Sequence, residues 1–294
     1  MRRPSLRLII TTVILLLADA AALFPIYWTI VTSFKLPAEI FSAVPTFIPR
    51  KPTLINYQLT MWPASVNWEK IRYELTSYIT VVTEEGLRYI LNSIVVASAT
   101  TLLSLMLGSM AAYAISRFRV GGKNLEIWIL SNRAMPPIVL IIPYFIIMKN
   151  FRLLDTHLAL ILAYLTFNLP FAIWLMKGFF DEIPMELEEA AMIDGCSRFR
   201  AFLKVVLPIS RSGLLTTAIF TFIFSWNEFF FALILTTRNA VTVPVLDSKF
   251  ISIMGSLYGE MAAAATVTMV PIIALALVVQ RYLVRGLTLG AVRG

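Results

Sequence analysis

The chain has 294 residues, of which 59% are hydrophobic and only 14% are charged. A soluble domain runs about 45–50% apolar and about 25% charged. With a mean hydropathy of +0.80, the chain has too much apolar surface for one core and too little charge to coat it, which excludes disorder and argues against a soluble globule. The long apolar runs point to lipid as their solvent. A single cysteine, Cys196, excludes a disulfide framework and a cysteine-based zinc cluster, and a single histidine, His157, leaves little for a histidine-centred catalytic site. The net charge of +8 reads, in such a chain, as basic cytoplasmic loops rather than a nucleic-acid surface.

Six segments reach the roughly 20 apolar residues that a bilayer requires: 8–31, 89–115, 125–148, 158–176, 214–235 and 261–283. They predict an all-α polytopic membrane protein with six transmembrane helices. Its parts are a first helix with a long outer loop (1–88), a five-helix core (89–283) carrying an inner loop at 177–212, and a tail (284–294). The period-2 alternation of a membrane β-barrel is absent, and no internal repeat is evident.

Basic residues orient the spans. One side collects Arg2, Arg3 and Arg7, then Arg117, Arg119 and Lys123, then Lys177, Arg198, Arg200, Lys204 and Arg211, and finally Arg281, Arg285 and Arg293. The short loops opposite hold only Lys149, Arg152, Arg238 and Lys249. Both termini are therefore expected in the cytoplasm. A cleaved signal peptide over the first 20 residues is the competing reading, but apolar character continues to Val31 past an interfacial Tyr27–Trp28 pair. The outer loop from Lys35 to Arg88 is rich in proline and then helix-compatible over 66–83, and Trp62 and Trp68 suit the headgroup level. Asp19 falls mid-span and should face protein or water. Ser93, Ala97, Thr101, Ser104, Gly108 and Ala112 form a small-residue stripe for close helix packing.

The loop between the fourth and fifth spans is the most informative stretch. Pro184 suits a first helical position, with Glu186, Glu188 and Glu189 behind it, where the helix dipole favours acids. Leu187, Ala190 and Ala191 share one small, smooth face, and Gly195 supplies a stop. Ser197 can cap a second helix, on which Phe199, Phe202, Leu203 and Val206 form one apolar stripe. Two short helices of opposite charge bias so meet at a glycine. They suit a groove in a partner protein; from the residues alone, packing on the chain's own membrane domain reads equally well.

Glu189-Ala190-Ala191, three residues, Gly195, nine residues, Val205, one residue and Leu207-Pro208 resemble the EAA motif of ABC importer permeases, with valine where the family prefers isoleucine. Further stretches are similar to the carbohydrate, maltose-type branch: 111–119 at the end of span two, Leu154-Asp155-Thr156 in an outer loop, Trp226-Asn227-Glu228-Phe229 in span five, and the tail 286–294, which resembles that of the smaller maltose-type subunit. The resemblance implies the type I ABC importer architecture. It implies a second permease subunit forming a heterodimer, two ATP-binding cassette subunits below, an extracytoplasmic solute-binding protein above, and a bacterial or archaeal plasma membrane. It assigns ATPase coupling to Glu189, Ala190, Ala191, Asp194, Gly195, Phe199, Leu207 and Pro208. The tail would reach toward the ATPase, and 237–259 would be the outer loop that probes the binding protein. The chain lacks a Gly-x4-Gly-Lys-[Ser/Thr] run, so it is expected to bind no cofactor and to catalyse nothing itself, with ATP and Mg held by the partner ATPase.

Arg133 begins Arg-Ala-Met-Pro-Pro near the middle of span three, where the prolines interrupt the helix and free its carbonyls. It either contacts a hydroxyl-rich solute or braces the break. Trp226, Asn227 and Glu228 combine a ring, an amide and a carboxylate, the groups that recognise sugars. In the maltose-type pair the solute contacts come mainly from the other permease subunit, which ranks gating or subunit packing ahead of direct contact here. The expected function is import of a sugar or related polyhydroxylated solute by alternating access. The alternative is a proton-coupled secondary transporter with Asp19, Arg133 and Glu228 as relay; it leaves the inner loop without a purpose. Motifs of an intramembrane enzyme are absent.

Overall fold

The computed structural model describes residues 6–65, 86–252 and 255–289. In chain order the helices are α1 (Leu6–Ser33), α2 (Pro37–Ile40), α3 (Ile55–Met61), α4 (Gly86–Phe118), α5 (Gly122–Arg133), α6 (Pro137–Asn150), α7 (His157–Asp181), α8 (Glu186–Ile193), α9 (Arg198–Ala201), α10 (Leu207–Ile209), α11 (Arg211–Trp226), α12 (Phe230–Leu235), α13 (Val243–Lys249) and α14 (Tyr258–Leu289). A two-residue antiparallel ladder, Ile251–Ser252 with Gly255–Ser256, is a small departure from an all-helical chain. The expected helix over 66–83, Trp68 within it and the last tail residues 290–294 lie outside the described residues.

Among the described residues four helices, α1, α4, α7 and α14, are long and apolar enough to cross a membrane unbroken. Two expected spans are not straight rods. Span three is α5 and α6, bent by 86°. Pro136 is extended at ψ 131 and Pro137 opens α6, because a proline forces the residue before it out of the helical region. Span five, expected as one helix over 214–235, ends at Trp226 and resumes at Phe230. At its other end α11 is bent by 79° from the segment 198–209 that leads into it.

The chain forms two compact units. The first comprises 1–87 and 246–270. In it the most apolar stretch of α1 has no buried residue. Asp19 is exposed there, so the protein partner expected for it is not supplied by the described residues of this chain. The outer loop is tied to the end of α1 by Asn56, which is buried and donates to the carbonyls of Ser33 at 2.9 Å and Lys35 at 2.8 Å. Lys35 lies over the Trp28 ring at 4.5 Å. Trp62 is exposed.

The second unit comprises 88–245 and 271–294. Its centre is α7, which packs against α11 and α5. The stripe expected on α4 does bury itself: Ser93, Ala97, Ser104 and Ala112 are at most 2% exposed. A Cβ on Gly108 would stand 2.8 Å from Cβ of Ala172 on α7, so the glycine is what allows the two backbones to approach. Asn168 on α7 donates to Ser225 on α11 at 2.9 Å. His157 opens α7 with its Nε2 2.8 Å from Asn92 Oδ1, a structural pairing. Ala112, Ile115, Ile173, Met176, Phe180, Ile183, Phe202 and Val206 form one apolar core that joins α4 and α7 to the loop beyond.

Candidate functional site: an exposed loop helix and a cavity at two helix breaks

The loop after α7 begins later than its sequence suggests. Pro184 is not the first helical residue; Met185 caps α8, and its carbonyl accepts from Glu188 at 3.0 Å and Glu189 at 3.1 Å. The glycine stop is where it was expected. Gly195 has φ +89°, its N–H donates to Met192, and Cys196 N–H donates back to Ala191, both at 3.0 Å. That is a complete Schellman end. Ser197 caps α9 by accepting from Arg200 N–H at 3.4 Å.

Along α8 the usual pattern is inverted. Glu188 is 5% exposed, whereas Leu187 is 45%, Ile193 86% and Phe199 just beyond 58% exposed. Glu189, Ala190, Asp194 and Gly195 are exposed and Ala191 half-buried. Glu188 is buried because α4 supplies its partners. Tyr113 donates its hydroxyl to Glu188 Oε2 at 2.7 Å. Arg117 forms an ion pair with Glu188 Oε1 and also donates to the Ile183 carbonyl at 3.0 Å.

The apolar stripe expected on the second helix divides in two. Phe202 and Val206 are buried, while Phe199 and Leu203 are exposed. The backbone takes a π-helical turn over Phe202–Val206, which offsets the faces, and π-turns of this kind frequently mark functional sites. Tyr113 packs on Phe202 with ring centroids 4.6 Å apart, and Arg198 lies over the Phe118 ring at 5.3 Å. Leu207 packs against the core of its own unit, and Pro208 is exposed. Of the motif residues, Glu189, Ala190, Asp194, Gly195 and Phe199 are exposed, while Leu207 anchors the loop from behind.

Within the spans a cavity of about 320 Å³ is lined by Asn132, Arg133, Thr166, Phe167, Asn227 and Glu228, with Pro137, Phe224 and Phe231 among the apolar walls. Arg133 lies against a pair of rings packed edge to face, its guanidinium carbon 4.2 Å from the centroid of Phe171 and 4.6 Å from that of Phe224. Glu228 accepts from the N–H groups of Phe231 at 3.1 Å and Ala232 at 3.3 Å. It thereby caps α12, which explains why span five breaks there without glycine or proline. Trp226 is 3% exposed and stacks on Phe222 at 5.7 Å; it is not part of the cavity wall, unlike its neighbours Asn227 and Glu228.

At the other end of α7, Asp155 has φ +59° and takes backbone N–H groups from Thr237, Arg238, Asn239 and Ala240 at 2.9–3.2 Å. Partial burial pushes its carboxyl up, but those four donors outweigh it and hold the group at about 2. Nothing in the local sequence announced this carboxylate's role, since its partners lie more than 80 positions away.

The described residues thus combine helices long and apolar enough to cross a membrane, interrupted spans and an exposed, apolar-faced loop helix. Residues 104–289 match the family described as "Binding-protein-dependent transport system inner membrane component", and the chain belongs to that family. It is thus the multi-pass inner-membrane component of an ATP-driven, binding-protein-dependent importer, with ATP hydrolysis lying in other subunits. It is 34% identical to the trehalose/maltose transport system permease protein MalG of Thermococcus litoralis, over 100% of both chains. It is 45% identical to the trehalose transport system permease protein SugB of Mycobacterium tuberculosis, over 66% of this chain and 73% of that one. It is 32% identical to the sulfoquinovosyl glycerol transport system permease protein SmoH of Agrobacterium fabrum, over 92% and 89%. The fold matches a chain of a bacterial ABC transporter involved in import of the acidic polysaccharide alginate, with a TM-score of 0.74, 22% identity and coverage of 96% and 99%.

Proposed function

We propose that this chain forms one half of the translocation path of an importer for a sugar or related polyhydroxylated solute. Its spans number six, α5 with α6 and α11 with α12 counting as one each, and both termini lie in the cytoplasm. It pairs with a distinct second permease subunit, rests on two ATP-binding cassette subunits that hold ATP and Mg, and receives solute from an extracytoplasmic binding protein. Three relatives named for trehalose, trehalose/maltose and sulfoquinovosyl glycerol support the solute class. The unburied surface of α1 is left for lipid and for the second permease subunit.

The observation that carries the coupling role is the inverted exposure of α8, with a glutamate buried and leucine and isoleucine outward. Water is a poor partner for such a face, whereas a protein groove is a good one. Glu189, Ala190, Ala191, Asp194, Gly195 and Phe199 make the docking surface. Small side chains let the helix seat deeply, and closure of the ATPase moves α8 as a lever. The buried Glu188 passes that motion to α4, a bistable packed element in place of a flexible loop.

Reconstitution tests this reading. Proteoliposomes carrying the full complex, with ATP inside and the binding protein outside, should accumulate radiolabelled trehalose or maltose. Accumulation by this chain alone, without ATP, would show instead a secondary transporter.

A further inference from the structure

Two interruptions of the helical backbone converge on one cavity. One lies between α5 and α6, at Ala134–Pro136; the other lies between α11 and α12, at Asn227–Phe229. Broken backbone at membrane depth is tolerated only inside protein or against a water-filled space. Paired helix interruptions are also where transporters place their solute sites. At about 320 Å³, the space sits at the lower end of the range for ligand pockets, roughly 300–1,000 Å³, and suits a solute of one or two sugar rings.

The wall carries a buried polar atom that the described residues do not satisfy. Phe171 and Phe224, whose ring centroids are 5.2 Å apart, pack together against the Arg133 guanidinium, and neither ring offers its N–H groups a conventional hydrogen-bond acceptor. Its Nη1 is buried with no hydrogen-bond partner among the described residues, and no carboxylate there stands within ion-pairing distance of it. A residue that merely braced the break would spend this donor on a freed carbonyl. Glu228, the acid on the same wall, is already occupied by the α12 amides. Asn132 and Asn227 each give one amide N–H to a carbonyl, of Trp128 at 2.8 Å and of Ile223 at 2.9 Å, which leaves each a second N–H and an amide oxygen. Phe167 adds an aromatic surface to the same wall.

We propose that this cavity binds the transported solute directly, so that this chain contributes its own contacts to the path. Solute oxygens accept from Arg133 Nη1, solute hydroxyls donate to Asn132 and Asn227, and an apolar C–H face rests on Phe167. The inference rests on the polyhydroxylated-solute reading above and deepens it. A neutral hydroxyl pair and a carboxylate are the two sources of oxygen that fit Arg133.

The test uses the complete complex with labelled trehalose, maltose and glucuronate as probes. Uptake is measured in proteoliposomes, and binding is measured on the detergent-purified complex without the binding protein. In R133Q, uptake and direct binding of the transported probe should fall at least tenfold, while ATP hydrolysis stimulated by the binding protein persists. N227A, which alters the wall without touching the arginine, should lower binding several-fold and covers the case in which R133Q fails to assemble. Preference of the parental complex for glucuronate marks a carboxylate as the bound oxygen group; preference for a disaccharide marks hydroxyls. Parental-level uptake and binding in both variants would overturn this proposal and leave the importer reading intact. Failure of the parental complex to take up any probe would overturn the solute class and the site with it.

Discussion

Arg117, in the last turn of α4, forms an ion pair with Glu188 in α8, and the two side chains are only 6% and 7% exposed. The pair joins a long apolar helix to the loop helix proposed to meet the ATPase, and Tyr113 supplies a third contact. Removing one member of such a buried pair strands the other charge, at a cost of about 3–5 kcal/mol, whereas replacing both by apolar groups is often near neutral. E188A should therefore lower the thermal stability of the complex and the solute moved per ATP. The double variant R117M/E188L should regain stability but recover less of the coupling. Differential scanning fluorimetry together with paired uptake and phosphate-release assays would check both.

Gly195 ends α8 with φ +89°, and a Cβ there would meet nothing within 4 Å. The constraint is torsional and not steric. A valine would cost about 1–2 kcal/mol and asparagine less, because asparagine tolerates the left-handed region. The expected order of uptake per ATP is glycine, then G195N, then G195V, with all three complexes assembled. An equal loss in G195N and G195V would point to a role in side-chain crowding instead.

Asp155 holds the chain after α12 through four backbone amides. Its carboxyl lies at about 2 against an ordinary value of 3.8. A depressed acid stabilises the folded form fully above its ordinary value and loses that contribution as pH falls from near 4 toward 2. The group is only partly buried, so the effect is on the order of 1 kcal/mol after screening. D155N should speed hydrogen exchange at Thr237–Ala240 at neutral pH and flatten the acid limb of local stability below pH 4.

The approach of α4 to α7 depends on Gly108 facing Ala172. G108V should push the helices apart and destabilise by about 1–3 kcal/mol. A172G, added to it, should restore part of the loss. Thermal melts of the single and double variants would reveal the coupling.

Much of this architecture was legible because lipid imposes long apolar runs, and those runs are visible residue by residue. The break at Met135-Pro136-Pro137 and the stop at Gly195 were legible for the same kind of reason, since proline and glycine act locally. The break at Asn227–Phe229 was not, because it depends on how the Glu228 side chain turns back onto the α12 amides. Pro184 misled because Met185, not proline, caps α8. Glu188 read as one more acid favoured by a helix dipole, since its partner Arg117 lies 71 positions earlier. The stripe Phe199–Val206 read as one face because a π-turn has no sequence period of its own.

The central claim is that α8 docks on a separate ATPase and moves with it. It is tested most directly by a pull-down with A190W, whose bulk falls on the exposed face of α8 and away from Glu188. The account predicts that the variant keeps its second permease subunit but loses most of its ATPase subunits, with uptake falling in step. Retention of the ATPase at the parental level, with undiminished ATP-driven uptake, would contradict it.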